Sequence, residues 1–307
     1  MTIAVVFPGQ GSQSRGMQAE LASQFDEVRA CYAKASEELG YDLWELVQEG
    51  PAEKLESTIV TQPAMLTAGV AAWHAYRKAG GAMPALMAGH SLGEYTALVC
   101  SGSLDFRTAV ALVRTRGELM QAAVPEGSGA MAAIIGLDDD KVIEACKSAA
   151  QGDVVSAVNF NSPGQVVIAG SRPAVERAVG LATAAGARRA LMLNVSVPSH
   201  CALMDPAAKK LAEALKSVEI REPGVTVINN VDVTPYSTPA SIRDGLTRQL
   251  YSPVRWVETV QYLVANGADS MIECGPGKVL TGLARRIDRS VAARHIDSPD
   301  SLAEALA

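Results

Sequence analysis

The sequence predicts an α/β protein, a largely parallel sheet flanked by helices, with a small βαββαβ subdomain inserted into it. Three observations carry this reading. Short apolar runs ending at glycine alternate with longer helical patterns, which is the signature of βα units. Between Ser128 and about Val195 the order changes to strand, helix, strand, strand, helix, strand, the ferredoxin-like arrangement. Proline and glycine punctuate that stretch at both ends, in Pro125-Glu126-Gly127 and Ser196-Val197-Pro198. At roughly 150 residues per domain, the 307 residues allow two domains in tandem or one carrying an insertion. The α/β pattern returns after Pro198, which decides for an insertion: 1–127 and 197–307 form the core, and 128–196 the small subdomain.

Taken in order, Ile3 to Phe7 is a first strand, ended by Pro8-Gly9. Helices follow from Phe25 to Leu39 and from Gln62 to Lys78. Ala85 to Gly89 is a strand that breaks at its glycine, and Leu92 to Cys100 resumes as helix. A helix from about Leu104 to Ala123 ends ahead of Pro125. In the insert, strands are expected at Met131–Ile135, Val154–Phe160, Gln165–Ala169 and Arg188–Leu193, with helices at Asp138–Ala149 and Arg172–Ala185. The core then resumes with strands near Val225–Ile228 and Ser270–Glu273, and helices near Leu203–Ser217, Ile242–Leu250, Val254–Asn266 and Val279–Arg286.

Composition narrows the class. With 48% hydrophobic and 20% charged residues the chain buries an ordinary globular core, which excludes disorder. A net charge of -6 argues against a general nucleic-acid binder. The first residues, Met1 to Phe7, lack a cationic stretch ahead of an apolar run, so no signal peptide is expected. The most apolar long stretch, Val60 to Tyr76, contains Gln62, Pro63 and His74 and falls short of the roughly 20 apolar residues of a membrane span. The five cysteines are scattered, with no CxxC pair, and read as reduced thiols of a cytoplasmic protein. No HExxH, Cys/His cluster or paired-carboxylate motif points to a metal, and neither Gly9-Gln10-Gly11 nor Gly275-Pro276-Gly277-Lys278 has the spacing of a nucleotide-binding loop.

The sharpest chemical signal is Gly89-His90-Ser91-Leu92-Gly93, a GxSxG between a predicted strand and a predicted helix. That context is what a nucleophile elbow requires: glycines flank a serine on a strained turn, so that its hydroxyl projects above the sheet. The alternative is a glycine-rich turn with a serine helix cap. A helix starting at Leu92 would aim its N–H groups and positive end at an oxyanion formed there. Serine needs a base, and the four histidines are the candidates. The elbow turns His90 away from its neighbour; His74 lies in an alanine-rich helical pattern; His295 lies in a loosely patterned C-terminal segment. His200 follows the proline-stiffened Val197-Pro198-Ser199, a loop able to present a side chain into a cleft. In the helix after the elbow, Ala109, Leu112, Val113, Arg116 and Met120 fall on one apolar stripe. A guanidinium buried there needs an anion, either a protein carboxylate or a carboxylate-bearing substrate.

With these residues in view, the sequence resembles the malonyl-CoA:acyl carrier protein transacylases of bacterial fatty-acid synthesis over essentially its whole length. The resemblance rests on Phe7-Pro8-Gly9-Gln10-Gly11-Ser12-Gln13, Gly89 to Tyr95, Arg116, Asn159 with Asn161-Ser162-Pro163, Val197 to His200, Gln249 before Ser252-Pro253-Val254, and Glu273 to Gly277. It implies an α/β-hydrolase-like core with a ferredoxin-like insert. It further implies Ser91 as the acylated nucleophile, His200 as its base, and Gln249 as a residue whose neighbourhood orients His200. The N–H groups of Gln10 and Leu92 would form the oxyanion hole and Arg116 would hold the malonyl carboxylate, with Gln62, Met120 and Asn159 lining the pocket. The implied partners are malonyl-CoA, CoA and an acidic acyl carrier protein bearing phosphopantetheine, with no cofactor. An acidic chain meeting an acidic carrier needs a local basic patch; Arg188-Arg189, Lys209-Lys210 and Arg285-Arg286-Arg289 are the candidate clusters.

Overall fold

The computed structural model describes residues 2–195 and 197–307; Met1 and Ser196, at the predicted ends of the core and of the insert, lie outside the described residues. Two sheets organise the chain. The larger contains β1 (Ile3–Phe7), β2 (Leu86–Gly89), β7 (Thr226–Ile228), β8 (Ser270–Cys274) and β9 (Ala292–Ile296), ordered β7-β2-β1-β8-β9, with every pairing parallel. The smaller contains β3 (Gly129–Ile135), β4 (Val155–Ser162), β5 (Gln165–Ser171) and β6 (Arg189–Met192), ordered β4-β5-β3-β6 and antiparallel throughout. The fold is α/β, a parallel sheet plus a separate antiparallel one in the ferredoxin-like strand order.

Burial explains why these segments were legible. β1 and β2 lie inside the parallel sheet, and from Ala4 to Phe7 and from Leu86 to Gly89 every residue is buried, hence their unbroken apolar runs. In the small sheet the two faces part company. Ala130, Ala132 and Ile134 of β3 pack under the Asp139–Ala150 and Arg172–Ala184 helices, whereas Met131 packs with Val167, Ala169 and Cys201 on the other face. That second face is turned toward the site described below. At the free edge of β4, Val254 donates to Val158 O (2.8 Å) and accepts from Phe160 N (3.0 Å), tying the small sheet to the segment ahead of the Trp256–Ala265 helix.

Three expectations need correction. The helix expected from Gln62 begins at Thr58. Pro63 sits in its second turn, where it lacks the N–H that the Ile59 carbonyl would otherwise accept from. The segment around His295 is not irregular: it is β9, the edge strand beside β8. An edge strand buries few of its residues, here Ala293 and Ile296, so it shows no continuous apolar run. The helix expected from Leu203 is a 3-10 turn, Ala202–Met204, leading into Asp205–Lys216. The short helices Ala19–Gln24, Leu43–Glu49, Ala52–Glu56 and Pro299–Leu306 were not anticipated. No helix among the described residues is long and apolar enough to cross a membrane.

Candidate active site

The site forms where β1 and β2 end side by side, at the carboxyl edge of the parallel sheet. Beyond β2 the chain turns sharply into the Gly93–Cys100 helix, and Ser91 takes a left-handed φ of 51°. The glycines make that turn sterically possible. A Cβ on Gly89 would lie 1.9 Å from the Gly93 carbonyl carbon, and one on Gly93 would lie 2.0 Å from Phe7 O. Gly9 is needed for the same reason on the neighbouring loop, where a Cβ would meet His90 O at 2.5 Å.

The turn puts Ser91 Oγ 2.7 Å from His200 Nε2. His200 also has a left-handed φ, 66°, and its N–H donates to Leu250 O at 2.9 Å. Its Nδ1 lies 2.7 Å from the backbone carbonyl of Gln249. A carbonyl only accepts, so Nδ1 carries the proton and Nε2 faces Ser91 with a lone pair. Burial foremost, then the positive charge of Arg116, push the His200 pKa down to about 3, so the ring is neutral at physiological pH. The pair is set up for proton abstraction from a serine hydroxyl. Nearby, no hydrogen bond within the described residues engages the backbone N–H of Gln10 or of Leu92. Unpaired N–H groups beside a nucleophile are the components of an oxyanion hole.

Behind the pair lies a buried polar network. Gln249 accepts from Arg116 Nη2 at 3.1 Å and donates through Nε2 to Ser91 O and to Glu94 Oε2, both at 3.0 Å. Glu94 also accepts from Asn230 N at 2.9 Å and from the Tyr236 hydroxyl. Burial raises its carboxyl to about 7, and these donors oppose the rise. Arg116 is 2% exposed, on the inward stripe its spacing indicated, while Arg114 points outward to Glu118 at 3.0 Å. Of the two anions weighed for Arg116, no protein carboxylate lies within ion-pair distance among the described residues; Gln249 stands between it and Glu94. Its Nε has no hydrogen-bond partner among the described residues, and its guanidinium sits 5.5 Å from the Tyr95 ring centroid.

A cavity of about 110 Å³ opens between the two sheets, its wall including Gln10, Ser91, Leu92, Arg116, Met120, Asn159 and His200. At about 30 Å³ per water molecule, that is room for a small acyl group. Asn159 is aimed by a bulge in β4, where the register slips between Ala157 and Asn159. Two of the expected residues stand back from the wall. Gln249 acts from behind, and Gln62, expected to line the pocket, lies behind Met120 with its Nε2 on the methionine sulfur at 3.4 Å. Of the remaining histidines, His90 Nε2 faces Asn161 Oδ1 at 2.8 Å, His74 Nδ1 contacts Cys31 Sγ at 3.4 Å, and His295 lies 3.5 Å from Asp297. Glu94 fell within the Gly89 to Tyr95 stretch with no role assigned to it, and Asn230 and Tyr236 were not anticipated. The one visible signal was a polar Asn229-Asn230 pair directly after a strand of the parallel sheet.

Comparison with known proteins fits this geometry. The malonyl CoA-acyl carrier protein transacylase of Salmonella typhimurium is 58% identical over 303 residues, covering 99% of this chain and 98% of that protein. The protein of the same name from Bacillus subtilis is 44% identical, covering 98% and 95%. Among solved structures, an acyl carrier protein S-malonyltransferase from Vibrio cholerae superposes with a TM-score of 0.96 at 57% identity, over 99% of both chains. A malonyl-transacylase in complex with its type II PKS acyl-carrier protein superposes with a TM-score of 0.98 at 56% identity, over 100% of this chain and 99% of that one. The sequence profile of the acyl transferase domain matches residues 4–296. Nearly the whole chain is thus accounted for, and it belongs to the acyl transferase domain family.

Proposed function

We propose that the chain transfers the malonyl group of malonyl-CoA to the phosphopantetheine thiol of an acyl carrier protein, supplying fatty-acid chain extension. The observation that carries this is Arg116: a buried guanidinium with no ion pair among the described residues, on the wall of a small cavity that also holds the Ser91–His200 pair. A dicarboxylic acyl group esterified at Ser91 would place its free carboxylate toward that cation.

In the first half-reaction His200 Nε2 takes the Ser91 proton as Oγ adds to the thioester carbonyl. The Gln10 and Leu92 N–H groups hold the oxyanion, and the neutral His200 form favoured by burial makes Nε2 available. Collapse expels the CoA thiolate, which takes up the proton from His200, and leaves malonyl-Ser91. In the second half-reaction the carrier's thiol gives its proton to His200, adds to the ester, and displaces Ser91 Oγ, which is reprotonated. Arg116, Met120 and Asn159 bound the acyl group, with Gln62 supporting Met120 from behind and Gln249 holding both Arg116 and the His200 ring. The pieces 1–127 and 197–307 serve as the catalytic core, and 128–196 as a small subdomain closing the cleft. Five free cysteines fit a cytoplasmic setting.

Incubation with malonyl-CoA alone should add one malonyl mass to the Ser91 peptide, and adding carrier protein should discharge it. An adduct that persists in Ser91→Ala, or no adduct at all, overturns the proposal.

A further inference from the structure

Asn230, in the loop after β7, is completely buried, and its side chain spans the elbow. Its Nδ2 donates to Gly89 O at 2.7 Å, and its Oδ1 accepts from Ser91 N at 2.7 Å. The Gly89 carbonyl can only accept and the Ser91 N–H can only donate, so the carboxamide orientation is unique. These two groups flank His90, whose own N–H goes the other way, to Phe7 O on the β1 side at 3.0 Å. A neighbouring parallel strand would bond the same carbonyl and the same N–H. The last residues that β7 and β2 pair through the backbone are Ile228 and Ala88. One step further along β2 the Asn230 carboxamide stands in for the strand, at the point where Ser91 enters a φ of 51° that disfavours any residue with a Cβ. The loop is itself anchored: Asn230 N donates to Glu94 Oε2 at 2.9 Å, and Asn230 O accepts from Arg255 N at 3.3 Å.

We propose that Asn230 is a positioning residue, whose carboxamide locks the elbow so that Ser91 Oγ faces His200 and the Leu92 N–H stays free. The inference rests on the reading of Ser91 as nucleophile. Asn230 is not on the cavity wall, so its loss acts on reactivity and not on substrate affinity. Asn230→Ala removes both bonds; Asn230→Asp keeps the size and the acceptor toward Ser91 N, and loses the donor toward Gly89 O.

The test compares wild type with both variants, checked for unchanged circular dichroism. It measures the rate at which phenylmethylsulfonyl fluoride modifies Ser91, read by peptide mass, together with kcat and KM for malonyl-CoA. Reactivity and kcat should fall at least tenfold in Asn230→Ala, and also in Asn230→Asp, with KM changed less than twofold. If Asn230→Ala does not fold, Asn230→Asp alone carries the comparison. A folded variant whose Ser91 reacts at the wild-type rate, a loss confined to KM, or the failure of both variants to fold overturns the inference. Wild type that reacts at Ser91 with the sulfonyl fluoride but takes no malonyl group overturns the proposed function instead, and leaves the role of Asn230 standing.

Discussion

Arg116 and His200 are bound to one another through Gln249, whose side chain takes the guanidinium while its carbonyl takes the imidazole. The two can still be separated by experiment. On the proposed function, Arg116→Ala would remove a charge-assisted contact to the malonyl carboxylate worth about 3 kcal/mol, so malonyl transfer should fall ~100-fold, while acetyl transfer, which offers no carboxylate, should change little. Equal losses in side-by-side assays would show that Arg116 does not read the carboxylate. For His200 the reading is pH. Burial and Arg116 hold its folded pKa near 3, below the ordinary 6.5. Modification of Ser91 by a neutral sulfonyl fluoride should therefore show no acid limb at pH 6.5; a break there would mean that the base is solvated. The same depression has a sign for stability. The unfolded chain takes up this proton first, so the His200 contribution is complete above pH 6.5 and is lost as pH falls toward 3. Ser91, His200 and Arg116 were legible because each sits in a local pattern: a glycine-flanked turn, a proline-stiffened loop, a helical stripe. Asn230 was not, because its partner Ser91 is 139 residues away and no spacing encodes that distance. Gln249 orients His200 through a backbone carbonyl, which any residue would supply.

The elbow is set by what its glycines exclude as much as by what Ser91 does. Gly93 presses its α-carbon against the end of β1, and a methyl there would sit 2.0 Å from Phe7 O and 2.8 Å from the Phe7 carbonyl carbon. These are backbone atoms inside a buried parallel pair, which have nowhere to move. Gly93→Ala should therefore cost about 3 kcal/mol of stability, read as a lowered urea midpoint at unchanged slope. A variant as stable as wild type would mean that the Gly93–Cys100 helix can shift away from the sheet. The same close packing governs what could be read from the chain. Elements buried between others, such as β1, β2 and the Phe106–Ala123 helix, announce themselves by their apolar periods. Those at the margin do not. β9 buries Ala293 and Ile296 while keeping Arg294 and His295 half-exposed. The Pro299–Leu306 helix depended on a Ser298 cap and a proline in its first turn, cues that are weak beside a charged, short segment.

At the scale of the whole molecule, the insertion places the small sheet over the cavity and leaves one of its edges at the mouth. β6 begins at Arg189 and is an edge strand, with Leu191 at 52% and Met192 at 40% exposure; Leu193, just beyond it, is 37% exposed and also lines the cavity. Arg188 and Arg189 are exposed directly ahead of these residues. The other two basic clusters are more committed: Lys209 pairs with Asp205 at 2.6 Å, Arg285 donates to Ala293 O at 2.8 Å, and Arg286 donates to Gln165 Oε1 at 2.8 Å. The overall charge of -6 would repel a carrier that is itself acidic at long range, whereas within a Debye length of about 8 Å local cations would govern the encounter. Arg188-Arg189, with no ion pair among the described residues, is thus the cluster whose position joins positive charge to an apolar surface that runs into the site. Reversing both charges, Arg188→Glu with Arg189→Glu, should raise KM for the carrier about tenfold and leave KM for malonyl-CoA and the malonyl-Ser91 adduct unchanged. The wild-type KM for the carrier should rise with salt, and the variant's should rise less, since the attraction being screened is gone. If the double reversal leaves the carrier's KM and its salt dependence as they are, the carrier approaches over another face, and the exposed Leu191–Leu193 edge has no part in receiving it.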